Sequence, residues 1–331
     1  MNKITIRLII SFIIAGTLIW WLNSQGFEII PALSTIKEVT SIESLATYAG
    51  IFLVFHFLRA WRWTYLLRPF AKVPSGIMLK VAFTGFAAIQ MMPLRTGEVA
   101  RPYLLDKYTG ISKSALFGTI AIERVIDGLM VSLALTVALF TIDAHTNPYI
   151  WTLRLAPVSI FTSALFLLVA FHKSPKTVRY LLHTLLGKLS GKLADFTVGV
   201  LERFHDGLAA LPHVRYFWTF VTFSCLYWGI NATAFYLLAQ GCGLDLPFAG
   251  AVAGMGVLAV GILLPAGPGY FGNFQIAVLA ALEMYITQAA QSPNAAVFVF
   301  ALYLLQTGLT IITGTTSGIM LIKRNHDITQ L

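Results

Sequence analysis

The sequence predicts an all-α protein that crosses a membrane several times, and three observations support this. Of its 331 residues, 57% are hydrophobic and only 11% are charged, and the mean hydropathy is +0.77. Soluble domains carry about 25% charged residues, so the composition excludes a soluble globular protein. Apolar runs of membrane-helix length recur along the chain, and each half contains one apolar segment interrupted by proline and glycine.

The net charge of +9 and the presence of two cysteines indicate which kinds of binding partner to expect. In a soluble protein this charge would indicate nucleic-acid binding. In a membrane protein it marks cytoplasmic loops facing anionic lipid, so we expect no nucleic-acid partner. Cys225 and Cys242 are too few for a disulfide framework, and neither has metal-ligand spacing with a histidine. We therefore expect no metal and no cofactor.

Hydropathy divides the chain into segments of a single membrane domain, residues 1–331, with about six transmembrane helices and two re-entrant hairpins. The predicted order is a helix at 4–22, a helix at 45–67, an inner re-entrant hairpin at 77–112, helices at 114–142 and 149–171, a cytoplasmic amphipathic segment at 175–213, a helix at 216–240, an outer hairpin at 247–290 and a helix at 295–322. Trp20 and Trp21 end the first helix without a small-residue cleavage site, so we expect it to be retained.

The two hairpins are predicted from matched Pro-x-x-x-Gly segments. One closes a charge-free run, 81–94, that is too short to span a bilayer, and the other repeats the spacing in the second half. Such paired segments mark the binding site of many secondary transporters. The expected hairpin-tip residues are Pro93, Gly97, Pro265, Gly267, Pro268, Gly269 and Asn273. A proline kink in an ordinary helix, or a tight loop, is the alternative interpretation.

The basic residues favour re-entry of the first hairpin. If 81–94 crossed the membrane fully, the basic residues of 95–113 and 173–215 would lie outside, against the positive-inside bias. If 81–94 instead turns back to the cytoplasmic side, the stretches 95–113 and 173–215 both lie inside. The two halves of the chain then form inverted repeats. Both termini are then cytoplasmic. For the second hairpin, a full span over 271–282 and beyond stays open as an alternative.

Six ionisable residues stand where the surrounding sequence is apolar, and charges at membrane depth usually face a cavity in pairs. These candidate substrate-binding residues are Arg95, Glu98, Arg101, Glu123, Arg124 and Asp127. Glu123 and Asp127 share a helix face that Arg124 can reach. Because guanidinium groups suit a lipid phosphate, we expect Arg101 and Arg124 to bind it while the carboxylates hold them in place. No catalytic residue is predicted.

Plainer interpretations remain for these residues and their neighbours. Glu98 could act only by stabilising the dipole in the first turn of a helix that Thr96 caps. The charges of 123–127 could form a purely structural ion cluster. Arg59 and Arg62 share one face of the second helix. We expect both to extend to the membrane surface, as long basic side chains near helix ends do.

Three motifs, at 94–102, 123–128 and 264–269, resemble the lysylphosphatidylglycerol synthase transmembrane (flippase) family. The resemblance covers nearly the whole chain. It implies an integral membrane protein linked to lipid translocation, in some members of aminoacylated phosphatidylglycerol. The chain resembles a standalone member without the soluble aminoacyl-transferase domain, so other lipids are also expected as substrates.

We therefore expect a flippase, not an enzyme, that moves a phospholipid or a polyprenyl or terpenoid lipid between leaflets of the bacterial inner (plasma) membrane. Its expected partner is a membrane lipid, anionic in charge. A homo-oligomer and a separately encoded lipid-modifying enzyme stay open as protein partners. The alternative function is a membrane-embedded transferase, or a scaffold for a cell-envelope lipid enzyme, although no nucleophile–base set or metal motif favours a transferase.

The predicted topology is tested by cysteines introduced singly as Lys107→Cys, Lys192→Cys and Asn294→Cys. The first two should be blocked only by thiol reagents that enter the cytoplasm, because both basic stretches are expected inside. The third should react with an impermeant reagent from outside. Labelling of the first two positions from opposite sides would contradict the inner hairpin.

Overall fold

The computed structural model describes residues 3–142, 150–187, 190–192, 194–195, 197–199, 201–202, 214–264 and 266–329. Every regular element over these residues is helical, which confirms the predicted all-α class. The helices are α1 (Lys3–Ser24), α2 (Leu33–Val39), α3 (Ile42–Trp61), α4 (Trp63–Leu67), α5 (Ser75–Met91), α6 (Ala100–Thr109), α7 (Lys113–Leu139), α8 (Ile150–Lys173), α9 (Pro175–Leu186), α10 (Val214–Gly241), α11 (Phe248–Gly261), α12 (Asn273–Glu283) and α13 (Pro293–Thr329).

Three helical stretches of the described residues are long and apolar enough to cross a membrane, judged by length and composition: Ile42–Leu67, Arg215–Gly241 and Pro293–Lys323. The helix predicted at 45–67 is divided in two at Arg62, whose backbone still has right-handed helical angles (φ −59°, ψ −27°). Since α4 therefore continues α3 with little change of direction, the two act as one membrane-length segment. The predicted total of six spans stays a prediction.

Polar caps begin two of the helices that carry the candidate site. The Ser41 hydroxyl accepts a hydrogen bond from the Ser44 N–H at 3.1 Å before α3, and the Ser112 hydroxyl accepts one from the Ala115 N–H at 3.3 Å before α7. Each cap supplies an acceptor to a backbone donor that a helix start leaves unpaired. Gly110, in the left-handed conformation at φ 68°, ends α6 and lets the chain turn into α7.

The chain reverses direction after α5. A 3₁₀ segment, Pro93–Val99, follows α5 and packs back against it. The return path is so close that a Cβ on Gly97 would lie 2.1 Å from the carbonyl oxygen of Ala88, and one on Gly85 would lie 2.2 Å from Cγ of Arg101. Residues on either side of the tip are therefore in antiparallel contact, which is the geometry of the first predicted hairpin. Its position relative to a membrane stays a prediction.

A second reversal joins α11 to α12. A Cβ on Gly261 would lie 2.5 Å from Cβ of Ala277, so the two arms touch through their small residues. With only 11 residues, α12 is about 16 Å long and cannot span a hydrocarbon core of about 30 Å by itself. This length favours the hairpin over the alternative of a full span.

The tip of the second hairpin is built from residues with unusual backbone angles. Gly269 has φ 72° and Gly272 has φ 90°, conformations that favour glycine. The Gln275 side chain accepts a hydrogen bond from the Gly272 N–H at 2.8 Å, and the Asn273 amide donates to the carbonyl of Gly261 at 3.4 Å. These side chains satisfy irregular backbone that lacks helical partners. Pro265 lies outside the described residues.

The arms of the two hairpins pack against the longer helices. The pairs α5 with α13, α3 with α10, and α7 with α8 and α11 pack along their lengths. A Cβ on Gly314 of α13 would lie 2.3 Å from Cβ of Ala87 on α5, so a glycine permits the close approach of these two helices. The amphipathic segment predicted at 175–213 begins with α9, and residues 203–213 lie outside the described part of the chain.

The hairpin tips are tested by Gly97→Val and Gly269→Val. Both proteins should insert but melt at lower temperature. At Gly269 the left-handed conformation costs a side chain about 1–2 kcal/mol. At Gly97 the clash with a backbone carbonyl that cannot move away should cost at least about 1–3 kcal/mol.

Gly308→Val is the matched control, because a Cβ at this α13 position meets no atom within 4 Å. Its melting temperature in detergent should stay within the small change expected for a glycine replaced in an open part of a helix. If Gly97→Val melts like Gly308→Val, the close return of the first hairpin is wrong.

Candidate functional site

The centre of the site is a buried ion pair between α6 and α7. Arg101 donates two hydrogen bonds to Glu123, from Nη1 to Oε1 at 3.2 Å and from Nη2 to Oε2 at 2.9 Å. The Arg101 side chain is 1% exposed and the Glu123 side chain 0%. This two-point contact is the geometry that the planar guanidinium favours.

A second ion pair lies one helical turn further along α7. Arg62 donates from Nη1 and Nη2 to the two carboxylate oxygens of Asp127, at 2.5 and 2.6 Å. On α10, Ser224 accepts from Arg62 at 2.7 Å, and the Trp228 indole N–H donates to Asp127 at 3.0 Å. Residues from three distant parts of the sequence thus hold one pair in place.

Glu123 joins these pairs into one network, because Arg62 also approaches it at 3.6 Å and Arg124 donates to it at 3.0 Å. We call Arg62, Arg101, Glu123, Arg124 and Asp127 the buried network. It contains three guanidinium groups and two carboxylates. Arg124 is its most exposed arginine, with 30% of its side chain accessible.

Aromatic rings cover the guanidinium groups that the network buries. Arg101 lies 4.1 Å from the ring centre of Trp63, and Arg62 lies 4.8 Å from that of Tyr227. These faces partly replace the water that a buried cation loses. The Nε atoms of Arg62 and Arg101 are buried and have no hydrogen-bond partner among the described residues, so the electrostatic contacts must offset that cost.

The expectation that Arg62 extends to the membrane surface is wrong. Its side chain is 0% exposed, because α3 directs it between α7 and α10, where Asp127 and Ser224 bind it. Arg59, one turn earlier, is half-buried and lines a cavity, with its guanidinium 4.3 Å from the ring centre of Phe86. Sequence reasoning therefore missed both arginines as site residues.

The other two predicted charges form a separate pair at the first hairpin tip. Arg95 donates to Glu98 from Nη2 at 2.8 Å and from Nε at 3.1 Å. Glu98 is 42% exposed and does not lie in a helix start, since α6 begins at Ala100 and Val99 caps it without a side-chain bond. The interpretation of Thr96 as the cap of this helix is therefore wrong.

Each hairpin tip donates a hydrogen bond to the backbone of the other hairpin. Arg95 Nη1 donates to the carbonyl of Ile262, just after α11, at 2.8 Å. Tyr270 Oη donates to the carbonyl of Ile89, in the last turn of α5, at 3.3 Å. Arg95 and Tyr270 both have positive φ, at 57° and 58°, and the guanidinium lies 5.6 Å from the tyrosine ring centre. The two tips thus brace each other.

A cavity of about 240 Å³ lies between the tips and the buried network. The charged side chains on its wall are Arg59, Arg95, Arg124 and Asp127, and most of the remaining wall is aromatic or aliphatic. Tyr270 of the second tip also lines it. The predicted residues Arg101 and Glu123 do not line the cavity: Arg101 pairs with Glu123, and Glu123 pairs in turn with Arg124.

Hydrophobic helices around two braced hairpins, with a buried ion network beside an arginine-lined cavity, define a polytopic membrane protein with an internal polar site. Residues 8–312 match the family model described as Lysylphosphatidylglycerol synthase TM region. The chain therefore belongs to this family. All three sequence motifs that suggested the resemblance lie inside the matched range. No curated protein matches the chain.

The buried network predicts a large stability effect for Glu123→Gln. The substitution leaves Arg101 buried without its charge partner, which typically costs about 3–5 kcal/mol. Glu98→Gln removes the same charge from the exposed tip pair and should cost less than about 1 kcal/mol. Thermal or chemical unfolding in detergent measures both. Equal losses would show that burial does not set the strength of these pairs.

Proposed function

We propose that this protein moves a lipid between the leaflets of the bacterial inner membrane, with the lipid headgroup passing through the arginine-lined cavity. The observation that carries the proposal is the cavity itself: three arginines and one carboxylate face it in a chain with only 11% charged residues. Ionisable groups are costly at membrane depth, and where they face a cavity they mark substrate pathways.

The size of the cavity suits a headgroup better than a whole lipid. Pockets for small molecules usually measure about 300–1,000 Å³, and this cavity is slightly smaller, at about 240 Å³. The acyl or isoprenoid chains would stay in the bilayer while the polar group crosses. Exposed apolar residues of both tips, among them Met91, Met92, Leu263 and Leu264, supply surface for those chains.

The residues divide into those that contact the substrate and those that position them. Arg124 faces the cavity and keeps accessible surface, so it contacts the headgroup phosphate through its free donors. Glu123, fixed by Arg101, holds Arg124 in place. Because this binding precedes no covalent step, the lipid leaves chemically unchanged, and neither a cofactor nor a metal is needed. Both termini are proposed to be cytoplasmic.

Purified protein in liposomes tests the proposal with a fluorescent anionic phospholipid and an impermeant quencher. The wild type should expose inner-leaflet probe to the quencher, and mass spectrometry should find the probe unchanged. Arg124→Gln should slow translocation about tenfold or more, since a charge-assisted hydrogen bond is worth about 1.5–3 kcal/mol.

Arg179→Gln is the matched control, because Arg179 is an exposed arginine on α9 that pairs with Glu202 and does not line the cavity. It should transport like the wild type. A new lipid product would instead identify a transferase, and absence of both translocation and product would favour the scaffold.

A further inference from the structure

The cavity and the ion pairs around it contain more arginines than carboxylates. The cations are Arg59, Arg62, Arg95, Arg101 and Arg124, and the anions are Glu98, Glu123 and Asp127. With histidine counted as neutral, the described residues leave an excess of two positive charges at this place. A surplus of one sign in a low-dielectric cleft concentrates counter-ions of the other sign.

One of the two excess charges belongs to Arg59. Its guanidinium lies over the ring of Phe86 and on the cavity wall, and within the described part of the chain no carboxylate lies within ion-pair distance of it. An aromatic face stabilises a cation without neutralising it. Arg59 therefore presents a full positive charge to whatever occupies the cavity.

The second excess charge belongs to the buried network. Glu123 and Asp127 share three arginines, so the network keeps one positive charge after its pairs are made. Of the three network arginines, Arg62 and Arg101 do not line the cavity, and Arg124 does. The two surplus charges are thus presented by Arg59 and Arg124 on the same cavity wall.

We propose that the headgroup is a phosphomonoester or a diphosphate carrying about two negative charges, an inference that rests on the proposed transport function. A phosphomonoester has a charge of about −1.5 to −2 at pH 7. A cationic aminoacyl headgroup fits poorly: the described wall offers it only the carboxylate of Asp127, which already accepts from Arg62 and Trp228.

The test is equilibrium binding in detergent near pH 8, followed by the fluorescence of tryptophan, since Trp228 lines the cavity. The probes are phosphatidic acid as the phosphomonoester, phosphatidylglycerol as a lipid with one charge, and lysyl-phosphatidylglycerol as a cationic lipid. Phosphatidic acid should bind about tenfold more tightly than phosphatidylglycerol, because the second charge gains a further charge-assisted contact. The lysyl lipid should bind most weakly.

Arg59→Gln should reduce the affinity for phosphatidic acid to about that for phosphatidylglycerol, and Arg59→Lys, which keeps the charge, should retain most of the preference. Arg68→Gln is the matched control, because Arg68 also lies over aromatic rings, those of Tyr65 and Tyr216, but does not line the cavity. It should behave like the wild type. Unchanged melting of the lipid-free variants shows that they are folded.

Equal affinities of the wild type for the two anionic lipids would overturn the proposal, as would an undiminished preference in Arg59→Gln. Inorganic phosphate alone tests the source of the anion. It should compete far more weakly than phosphatidic acid, and equal competition would overturn the assignment to a lipid. Translocation of all lipids at one rate would leave transport standing and refute the charge class. Selective binding of phosphatidic acid without translocation would support the charge class and refute the transport function.

Discussion

The interaction on which the site depends is the two-point contact between Arg101 and Glu123. It joins the returning arm of the first hairpin to α7, and it requires Gly85, since a side chain there would occupy the place of the Arg101 stem. It also requires Trp63, whose ring lies beneath the guanidinium and whose indole N–H donates to Thr119 on α7 at 3.1 Å. Removing either ion from water costs several kcal/mol, so the pair is tolerable only while all these contacts persist.

The braces between the hairpin tips satisfy backbone carbonyls at the places where the helices are broken. A broken helix leaves carbonyls at its C-terminal end without amide partners, and no lipid can donate to them. The first hairpin supplies the donor for Ile262, and the second supplies the donor for Ile89. One carbonyl at each break is therefore satisfied by a residue of the opposite tip. A movement of one tip would expose an unpaired carbonyl on the other, which couples the two halves.

The sequence predicted those features of the fold and the site that depend on hydropathy and on the position of charges along the chain. A uniform helical fold follows from hydropathy, and the burial and pairing of Arg101, Glu123 and Asp127 follow from charges in apolar surroundings. The direction of Arg62 could not be predicted, because a helical arginine near the interface can extend outward or turn inward. Only the neighbours decide, and Ser224 and Trp228 lie in a distant helix.

The sequence also did not predict that the charges divide into the tip pair of Arg95 and Glu98 and the buried network that contains Arg101. The cause is the backbone conformation between them. Arg95, Glu98 and Arg101 are three residues apart, which on an α-helix would place them along one face. The chain instead forms a 3₁₀ segment there, and Arg95 has a left-handed conformation at φ 57°. That single angle turns Arg95 toward the other hairpin. Spacing alone gives no signal of such an angle at an arginine, a residue that rarely adopts it.

The arginines of the site differ in burial, and this difference separates structural arginines from those that a ligand can contact. Arg62 and Arg101 have two-point carboxylate partners and little or no exposure, so they are fixed in orientation. Arg124 shares its carboxylate with them, and Arg59 has an aromatic ring beside it. Glu123, fixed by Arg101, pairs with Arg124 and orders it before any ligand arrives, which lowers the ordering cost of binding. In the proposed function, an anionic headgroup supplies the negative charge that the protein itself lacks at this place. The proposal therefore makes the occupied cavity the most favourable state of this charge distribution.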